Sequence, residues 1–296
     1  MGYNDDRGVV MSDGLIERLE QSGLDIFAAE IVKGGETLLH YAPDGGKRHP
    51  VYSAAKSVTS AAFCIAWQEG LVSPEIPLCD FLEEHYRPLV SPQMKALPFS
   101  RFLTMTAGAY PFRPEGSDWL RTALSNDPDH SDAGFHYSNI PAYLVGAAVE
   151  NAVGGDLMRF LRQRLFDPLG IPEFPYMRSP EGHFYGATGM ELSARELALL
   201  GRLYLQEGRW NEHQLIARDK IKAAAAPRIP TGSGDSYGYF FRVGKDHFSM
   251  VGKWGQRCMV FPEKQLVIAY LSDQPERCDE LYRAALLTAA GITPDV

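Results

Sequence analysis

The sequence of 296 residues contains no hydrophobic run long enough to span a bilayer and no cluster of basic residues. Its formal net charge is −8. Because nucleic acid and anionic membrane surfaces are also negatively charged, this balance argues against either as a partner. The polar N-terminus is not followed by the apolar segment of a secretory signal, so we expect a cytoplasmic protein, although a mature chain cut from a longer precursor would have the same appearance.

Cysteine and histidine are too few and too scattered to indicate a metal site. The 4 cysteines show no CxxC or other metal-ligand spacing, and the 8 histidines show none either. The glycine pairs at 34–35 and 154–155 are not followed by the Lys-Ser/Thr of a phosphate-binding loop. We therefore expect neither a metal nor another cofactor. The sequence has no internal repeats and does not indicate an oligomeric state.

Strand-like patterns are confined to the two ends of the chain, and the sequence between them has a mostly helical pattern. The strand-like segments are residues 26–33, 36–41, 237–243, 256–261 and 265–271. This order predicts a single α/β domain over residues 1–296. Residues 1–60 and 226–296 form its sheet lobe, and residues 61–225 form an inserted, mostly helical lobe.

Helical periodicity and punctuation by Gly and Pro define the predicted helices. They cover residues 11–22, 53–70, 97–106, 140–152, 157–165, 193–207 and 275–290. Ser193, followed three residues later by Glu196, has the pattern of a capping box.

Ser53 and Lys56 stand one helical turn apart at the start of an apolar helical run. Residues three apart share a helix face, so the spacing places the lysine amine beside the serine hydroxyl. A serine becomes a good nucleophile only when a base takes its proton, and a neutral amine at this distance is such a base. The pair is a candidate site for covalent catalysis, although a serine at a helix start is also a common cap.

Two further segments carry candidate site residues. Tyr137 and Asn139 directly precede the predicted helix 140–152, where a phenol and an amide share one side of a loop, or where Asn139 caps the helix. The second segment is residues 250–256, a Gly-rich stretch between strand-like patterns. It is either a simple turn or a backbone that closely approaches a ligand.

The order of these motifs resembles the serine beta-lactamase and penicillin-binding-protein superfamily, and most of all its class C beta-lactamase-related esterases and D-aminopeptidases. The resemblance extends over nearly the whole chain. The matching segments are residues 50–59, 102–108, 135–139, 186–198 and 250–252. It implies a beta-lactamase-like α/β fold, in which helices flank an antiparallel sheet built from both chain ends and a helical lobe is inserted.

The same resemblance implies roles for individual residues. Ser53 attacks a carbonyl carbon, Lys56 and Tyr137 share the removal and return of the proton, and Asn139 orients Lys56 and the substrate. The oxyanion is expected between the backbone N–H groups of Ser53 and Lys253. Reference pKa values of about 10 for Tyr and about 10.4 for Lys make neither group a base at neutral pH unless its environment shifts it.

The third motif departs from the family pattern. Its first position is usually Lys or His, and here the equivalent triplet is Met250-Val251-Gly252. A shifted alignment, Lys253-Trp254-Gly255, restores a lysine at the cost of a three-residue slip. Loss of the cation weakens the expected recognition of a carboxylate unless Lys253, Arg257 or another cation compensates. Trp254 either walls the acyl pocket or packs on the sheet.

These observations predict a serine hydrolase that cleaves a small ester, amide or peptide through an acyl-enzyme on Ser53. A beta-lactamase or D,D-peptidase is the first alternative, and it requires a carboxylate-binding cation. An acyltransferase and a non-catalytic binding protein are further alternatives. The presence of Ser53, Lys56, Tyr137 and Asn139 together argues against the last of these.

Overall fold

A computed structural model gives the architecture of the chain. It describes residues 6–292, with side chains from residue 14 onward. Residues 1–5 and 293–296 of the predicted sheet lobe lie outside the described residues. None of the helices in the described part is both long and apolar enough to cross a membrane.

The elements follow the predicted order of strands, helices and strands. The strands are β1 Ala28–Lys33, β2 Glu36–Tyr41, β3 His49–Pro50, β4 Glu191–Leu192, β5 Arg209–Trp210, β6 His213–Gln214, β7 Ile229–Pro230, β8 Ser236–Tyr237, β9 Arg242–Val243, β10 Phe248–Val251, β11 Arg257–Phe261 and β12 Leu266–Leu271. The helices are α1 Asp6–Gln21, α2 Ala55–Gln68, α3 Pro92–Lys95, α4 Phe99–Leu103, α5 Trp119–Ser125, α6 Ile140–Ala152, α7 Leu157–Leu161, α8 Ala194–Leu205, α9 Arg218–Ala225 and α10 Cys278–Gly291.

The central sheet joins the two ends of the chain. Its 8 strands run in the order β2-β1-β12-β11-β10-β9-β8-β7, and each neighbouring pair is antiparallel. The key junction is β1 against β12, which pairs Ala28 with Leu271 and Lys33 with Leu266. The predicted fold class is confirmed. The lobe boundaries at residues 60 and 226 stay a prediction.

The prediction of one continuous strand over residues 237–243 is wrong in the middle of that segment. Residues 237–243 were expected to form a single strand, but the chain turns between β8 and β9, where the Gly238 N–H donates to the Phe241 carbonyl at 2.9 Å. A Cβ at Gly238 would lie 2.4 Å from the Ala224 carbonyl oxygen, so the backbone bends here to pack against the end of α9. Phe240 takes a φ of 62° in this turn.

Both faces of the central strands are buried, which explains their near-continuous apolar sequence. Along β12, Val267, Ala269 and Leu271 join the large core that contains α2 and α6. The alternate residues Leu266, Ile268 and Tyr270 join a second core beneath α1 and α10. This period of two fixes the register, because a shift by one residue would exchange the two faces.

Helix α8 lies directly on the sheet. The predicted capping box at its start is present, with the Glu196 N–H donating to Ser193 Oγ at 3.2 Å and the Ser193 N–H donating to Glu196 Oε2 at 2.9 Å. Gly201 faces the strands, and a Cβ at this position would lie 2.5 Å from Cys258 Sγ. The absence of a side chain at Gly201 therefore sets how closely α8 approaches the sheet.

We expect Gly201→Ala to destabilise the protein by about 1–3 kcal/mol, because the added methyl group overpacks the contact with Cys258. The matched control is Gly14→Ala in α1, where a Cβ meets no atom within 4 Å. That change should stabilise the fold by about 0.5–1 kcal/mol through helix propensity alone. Urea unfolding measures both free energies. Equal effects of the two substitutions would contradict the proposed helix–sheet contact.

Candidate active site

Ser53 lies on a single 3-10 turn, Tyr52–Ala54, which leads directly into α2. Tyr52 has a φ of 47°, in the left-handed region that costs a non-glycine residue about 1–3 kcal/mol. The preceding residue, Val51, is fixed from both sides. Its N–H donates to the Met190 carbonyl at 2.9 Å, and its own carbonyl accepts from the Ala54 N–H at 3.1 Å. The turn is thus held in a strained conformation that exposes part of Ser53 to the cavity described below.

Lys56, in the first turn of α2, is 1% exposed. Its Nζ lies 3.0 Å from Ser53 Oγ, 2.7 Å from Asn139 Oδ1 and 2.9 Å from the Ala187 carbonyl oxygen. Burial lowers the pKa of Lys56 from 10.5 to about 7, because the charged form loses its hydration. The spacing of Ser53 and Lys56 thus places the two groups in contact, as expected from the sequence.

The three partners of Lys56 determine what its neutral form can do. The oxygens of Asn139 and Ala187 are carbonyl acceptors and need an N–H donor in either protonation state. A neutral amine has two N–H groups and one lone pair, so these two acceptors take both hydrogens. The lone pair is then directed at Ser53 Oγ, and the hydrogen bond between them reverses, with the serine hydroxyl as donor. This arrangement is that of a general base on a nucleophile.

Asn139 serves Lys56 rather than capping α6. It occupies the position before α6, but its side chain makes no capping hydrogen bond. Its Nδ2 donates to the hydroxyl of Tyr185 at 3.1 Å, which leaves Oδ1 as the end that faces Lys56. The capping alternative from the sequence is therefore wrong. Tyr185 fixes the orientation of the amide.

Tyr185 and Ala187 are site residues that the sequence analysis missed. Tyr185 lies just before the matching segment 186–198, and Ala187 acts through its backbone carbonyl, which a sequence does not reveal. The signal available was Gly186, which takes a φ of 64°, and whose carbonyl accepts from Thr59 Oγ1 at 2.9 Å. A Cβ at Gly186 would lie 2.4 Å from that hydroxyl. This close approach to α2 brings Ala187 to Lys56.

Tyr137 completes the group around Ser53. Its hydroxyl lies close enough to Ser53 to affect the Tyr137 pKa, and its ring centroid lies 4.9 Å from Lys56 Nζ. Although the side chain is 37% exposed to the cavity, desolvation of its hydroxyl raises the pKa of Tyr137, while the interaction with Ser53 and the charge of Arg242 act in the opposite direction. The ring packs edge-on against Tyr237 of β8, with centroids 6.2 Å apart.

The third motif lies at the end of β10. Met250 is 1% exposed and does not line the cavity, whereas its neighbours Ser249 and Val251 do. A Cβ at Gly252 would lie 2.2 Å from the Val51 carbonyl oxygen, so the strand end is in close contact with the turn that carries Ser53. This geometry favours Met250-Val251-Gly252 as the third motif. β10 is an interior strand of the sheet, between β11 and β9.

The shifted triplet occupies a different place. Lys253–Gly255 forms a 3-10 turn after β10, and a Cβ at Gly255 would lie 2.4 Å from Ser272 Oγ. Lys253 lines the cavity but Trp254 does not, and the oxyanion role of the Lys253 N–H stays a prediction. The Trp254 ring packs edge-on against Tyr52, a residue of the cavity lining, with centroids 5.2 Å apart.

A cavity of about 1110 Å³ opens above Ser53. Seven aromatic rings line it. Its charged lining consists of Arg113, Arg178, Arg242, Lys253 and Glu115, an excess of positive charge in an acidic protein. Within residues 14–292, no group of three or more His, Cys, Asp or Glu side chains is placed to hold a metal ion.

The identity of the fold follows from comparison with known families. Residues 15–291 match the family model described as Beta-lactamase. The chain belongs to the beta-lactamase family. This result confirms the resemblance found in the sequence motifs, and membership supports a hydrolase in general. Among curated protein sequences, none is similar enough to this chain to count as a relative.

Solved structures of low sequence identity share the beta-lactamase fold. A beta-lactamase from Sulfitobacter sp. EE-36 is 16% identical with a TM-score of 0.75, and the match covers 98% of this chain and 99% of that one. A penicillin-binding protein from Bacillus halodurans is 16% identical, with a TM-score of 0.69 and coverages of 92% and 99%. A protein from Bacillus anthracis assigned as a 6-aminohexanoate-dimer hydrolase is 17% identical, with a TM-score of 0.75 and coverages of 94% and 81%.

The lysine pKa can be measured without any substrate. In protein labelled with ¹³C at lysine Cε, we expect one resonance to titrate near pH 7, the value to which burial lowers Lys56. Ordinary lysines titrate near about 10.4. Lys56→Met should remove the unusual resonance. Asn139→Leu should lower its pKa further, because it removes an acceptor that stabilises the ammonium form.

The control for the second substitution is Asn126→Leu, an exposed asparagine at the end of α5. It should leave the titration of Lys56 unchanged. An unchanged or raised pKa in Asn139→Leu would show that the amide does not support the charge of Lys56.

Proposed function

We propose that the protein is a serine hydrolase that cleaves a small-molecule ester or amide through an acyl-enzyme on Ser53. The observation that carries this proposal is the buried Lys56, whose Nζ lies 3.0 Å from Ser53 Oγ and whose pKa is lowered to about 7. A lysine in this state is available as a base at neutral pH.

In the proposed reaction, Ser53 Oγ attacks the carbonyl carbon while its proton passes to the Lys56–Tyr137 pair. Because the two groups share one hydrogen-bonded site, the pair titrates as a unit. The backbone N–H groups of Ser53 and Lys253 receive the oxyanion, and the loss of one such donor typically costs about 2.7–4 kcal/mol in the barrier. Tyr137 then returns the proton to the leaving group. A water molecule, activated by the same pair, releases the acyl group.

The first test is covalent labelling with a fluorophosphonate probe followed by intact-mass measurement. We expect a single adduct on the wild type and none on Ser53→Ala. The labelling rate should rise as the pH passes upward through about 7, because the base form of Lys56 is required. Ser125→Ala, which changes an exposed serine at the end of α5, is the matched control and should label fully. Absence of an adduct on folded wild-type protein would favour the non-catalytic binding protein.

A beta-lactamase or D,D-peptidase is the second candidate, and Arg242 is the observation that favours it. Arg242 lies on β9, opposite Ser249 of β10, and lines the cavity near Tyr137. Its Nη1 donates to both carboxylate oxygens of Asp235, at 2.8 and 2.9 Å, and to Thr231 Oγ1 at 3.1 Å. Its Nε and Nη2 donate no hydrogen bond within the described residues and are free to bind a substrate carboxylate.

Nitrocefin separates the two candidates. If the substrate is a neutral ester or amide, we expect acylation by nitrocefin to be slow and turnover to be negligible. The physical reason is that Arg242 is already paired with Asp235, while Met250 supplies no charge. Rapid turnover that is lost in Arg242→Gln would instead establish a beta-lactamase with a displaced carboxylate-binding cation. Arg228→Gln, an arginine outside the cavity, is the control for the change of charge.

A further inference from the structure

Large apolar and aromatic side chains that are exposed to solvent are concentrated in the cavity. In the described part of the chain, the exposed large apolar or aromatic side chains are Leu71, Phe112, Tyr137, Met177 and Leu287. Three of these five, Phe112, Tyr137 and Met177, line the cavity, where Phe112 is 61% exposed and Met177 is 43% exposed. Apolar groups gathered at one exposed place indicate a binding surface rather than a core.

Phe112 and Met177 are joined to the catalytic group through the backbone. The Phe112 carbonyl accepts from the Asn139 N–H at 2.7 Å, and the Met177 carbonyl accepts from the Tyr185 N–H at 3.1 Å. Trp119 packs edge-on against the Tyr185 ring, with centroids 4.8 Å apart. These four residues, Phe112, Trp119, Met177 and Tyr185, all line the cavity and are called here the apolar wall. It adjoins Asn139 and therefore begins at the Lys56 end of the site.

The side of the site formed by the sheet has another character. Tyr137 packs against Tyr237, and the charge of Arg242 lowers the Tyr137 pKa. Its hydroxyl therefore lies on the side of the site formed by the sheet. A leaving group that takes its proton from Tyr137 departs on that side. The acyl part of the substrate is therefore expected to bind along the apolar wall.

The size of the cavity leads to the same assignment. At about 1110 Å³ it exceeds the roughly 300–1,000 Å³ of ordinary ligand pockets. A short acyl group such as acetyl would leave the apolar wall in contact with water. A long one would remove it from water, and that burial would strengthen binding.

We propose that the natural substrate carries a bulky apolar acyl group, a medium-length alkyl chain or an aromatic ring system, which binds along the apolar wall. The inference rests on the proposed acyl-enzyme function. It adds the chemical class of the acyl donor, which the family membership does not specify.

The test compares p-nitrophenyl acetate, butyrate, octanoate and decanoate, each below its critical micelle concentration. A fully buried CH₂ contributes roughly fourfold in affinity, so partial burial of the longer chain should raise kcat/KM by at least about 30-fold from acetate to octanoate. Phe112→Ala and Met177→Ala should each remove about tenfold of the octanoate value and much less of the acetate value. Leu287→Ala, which truncates a 49% exposed leucine on α10, should change neither.

A binding measurement keeps the inference testable if esters are not turned over. Calorimetric titration of Ser53→Ala protein should show tighter binding of octanamide than of acetamide, and Phe112→Ala should weaken the binding of octanamide only. Ser53-dependent hydrolysis with a flat or falling chain-length profile overturns the inference and leaves the hydrolase intact. Wall-dependent binding of octanamide without hydrolysis of any ester overturns the hydrolase and with it the acyl-donor role, and it shows that the apolar wall binds an apolar chain. If neither is observed, both are overturned.

Discussion

The site depends on one unusual burial, that of the Lys56 amine. Lysine is almost never fully buried, because removal of its charge from water costs several kcal/mol unless partners replace the lost hydration. Here three oxygen acceptors within 3.0 Å replace it only in part, so the pKa falls to about 7. At neutral pH, Lys56 is therefore present in comparable amounts as the ammonium and as the neutral amine. That balance is what a proton-transfer group requires.

The balance is assembled from three segments that are distant in sequence. Ser53 and Lys56 come from the start of α2, Asn139 from the residue before α6, and Ala187 from the loop before α8. Helices α2 and α6 pack against each other in the large core, which fixes the first two segments together. The third depends on Gly186, whose lack of a side chain allows the loop to contact α2. The packing of α2, α6 and the Gly186 loop therefore also sets the distances between the side chains of the site.

Patterns of local chemistry were predictable from the sequence, whereas contacts made by the backbone were not. The strand 36–41, the helix 140–152 and the capping box at Ser193 are governed by short-range periodicity and capping, and the structure has them at the predicted positions. The fold class followed from the order of motifs along the chain. The Ala187 carbonyl and the Tyr185 hydroxyl were missed, because their roles arise from how a loop packs. The bend within 237–243 was missed for the same reason.

At the third motif, Met250 stands where the family pattern has Lys or His, and a cation at that position can have two roles. A cation beside Lys56 would lower the lysine pKa through repulsion and would also attract a substrate carboxylate. Burial is the cause that lowers the Lys56 pKa here, and Met250 faces away from the cavity. In the proposed mechanism, Lys56 therefore does not need a charge at position 250 to reach a pKa of about 7. Because burial lowers that pKa, the position is free to vary with the substrate. Of the four cations that line the cavity, Arg242 acts on the proposed proton-transfer pair as well, because its charge lowers the pKa of Tyr137.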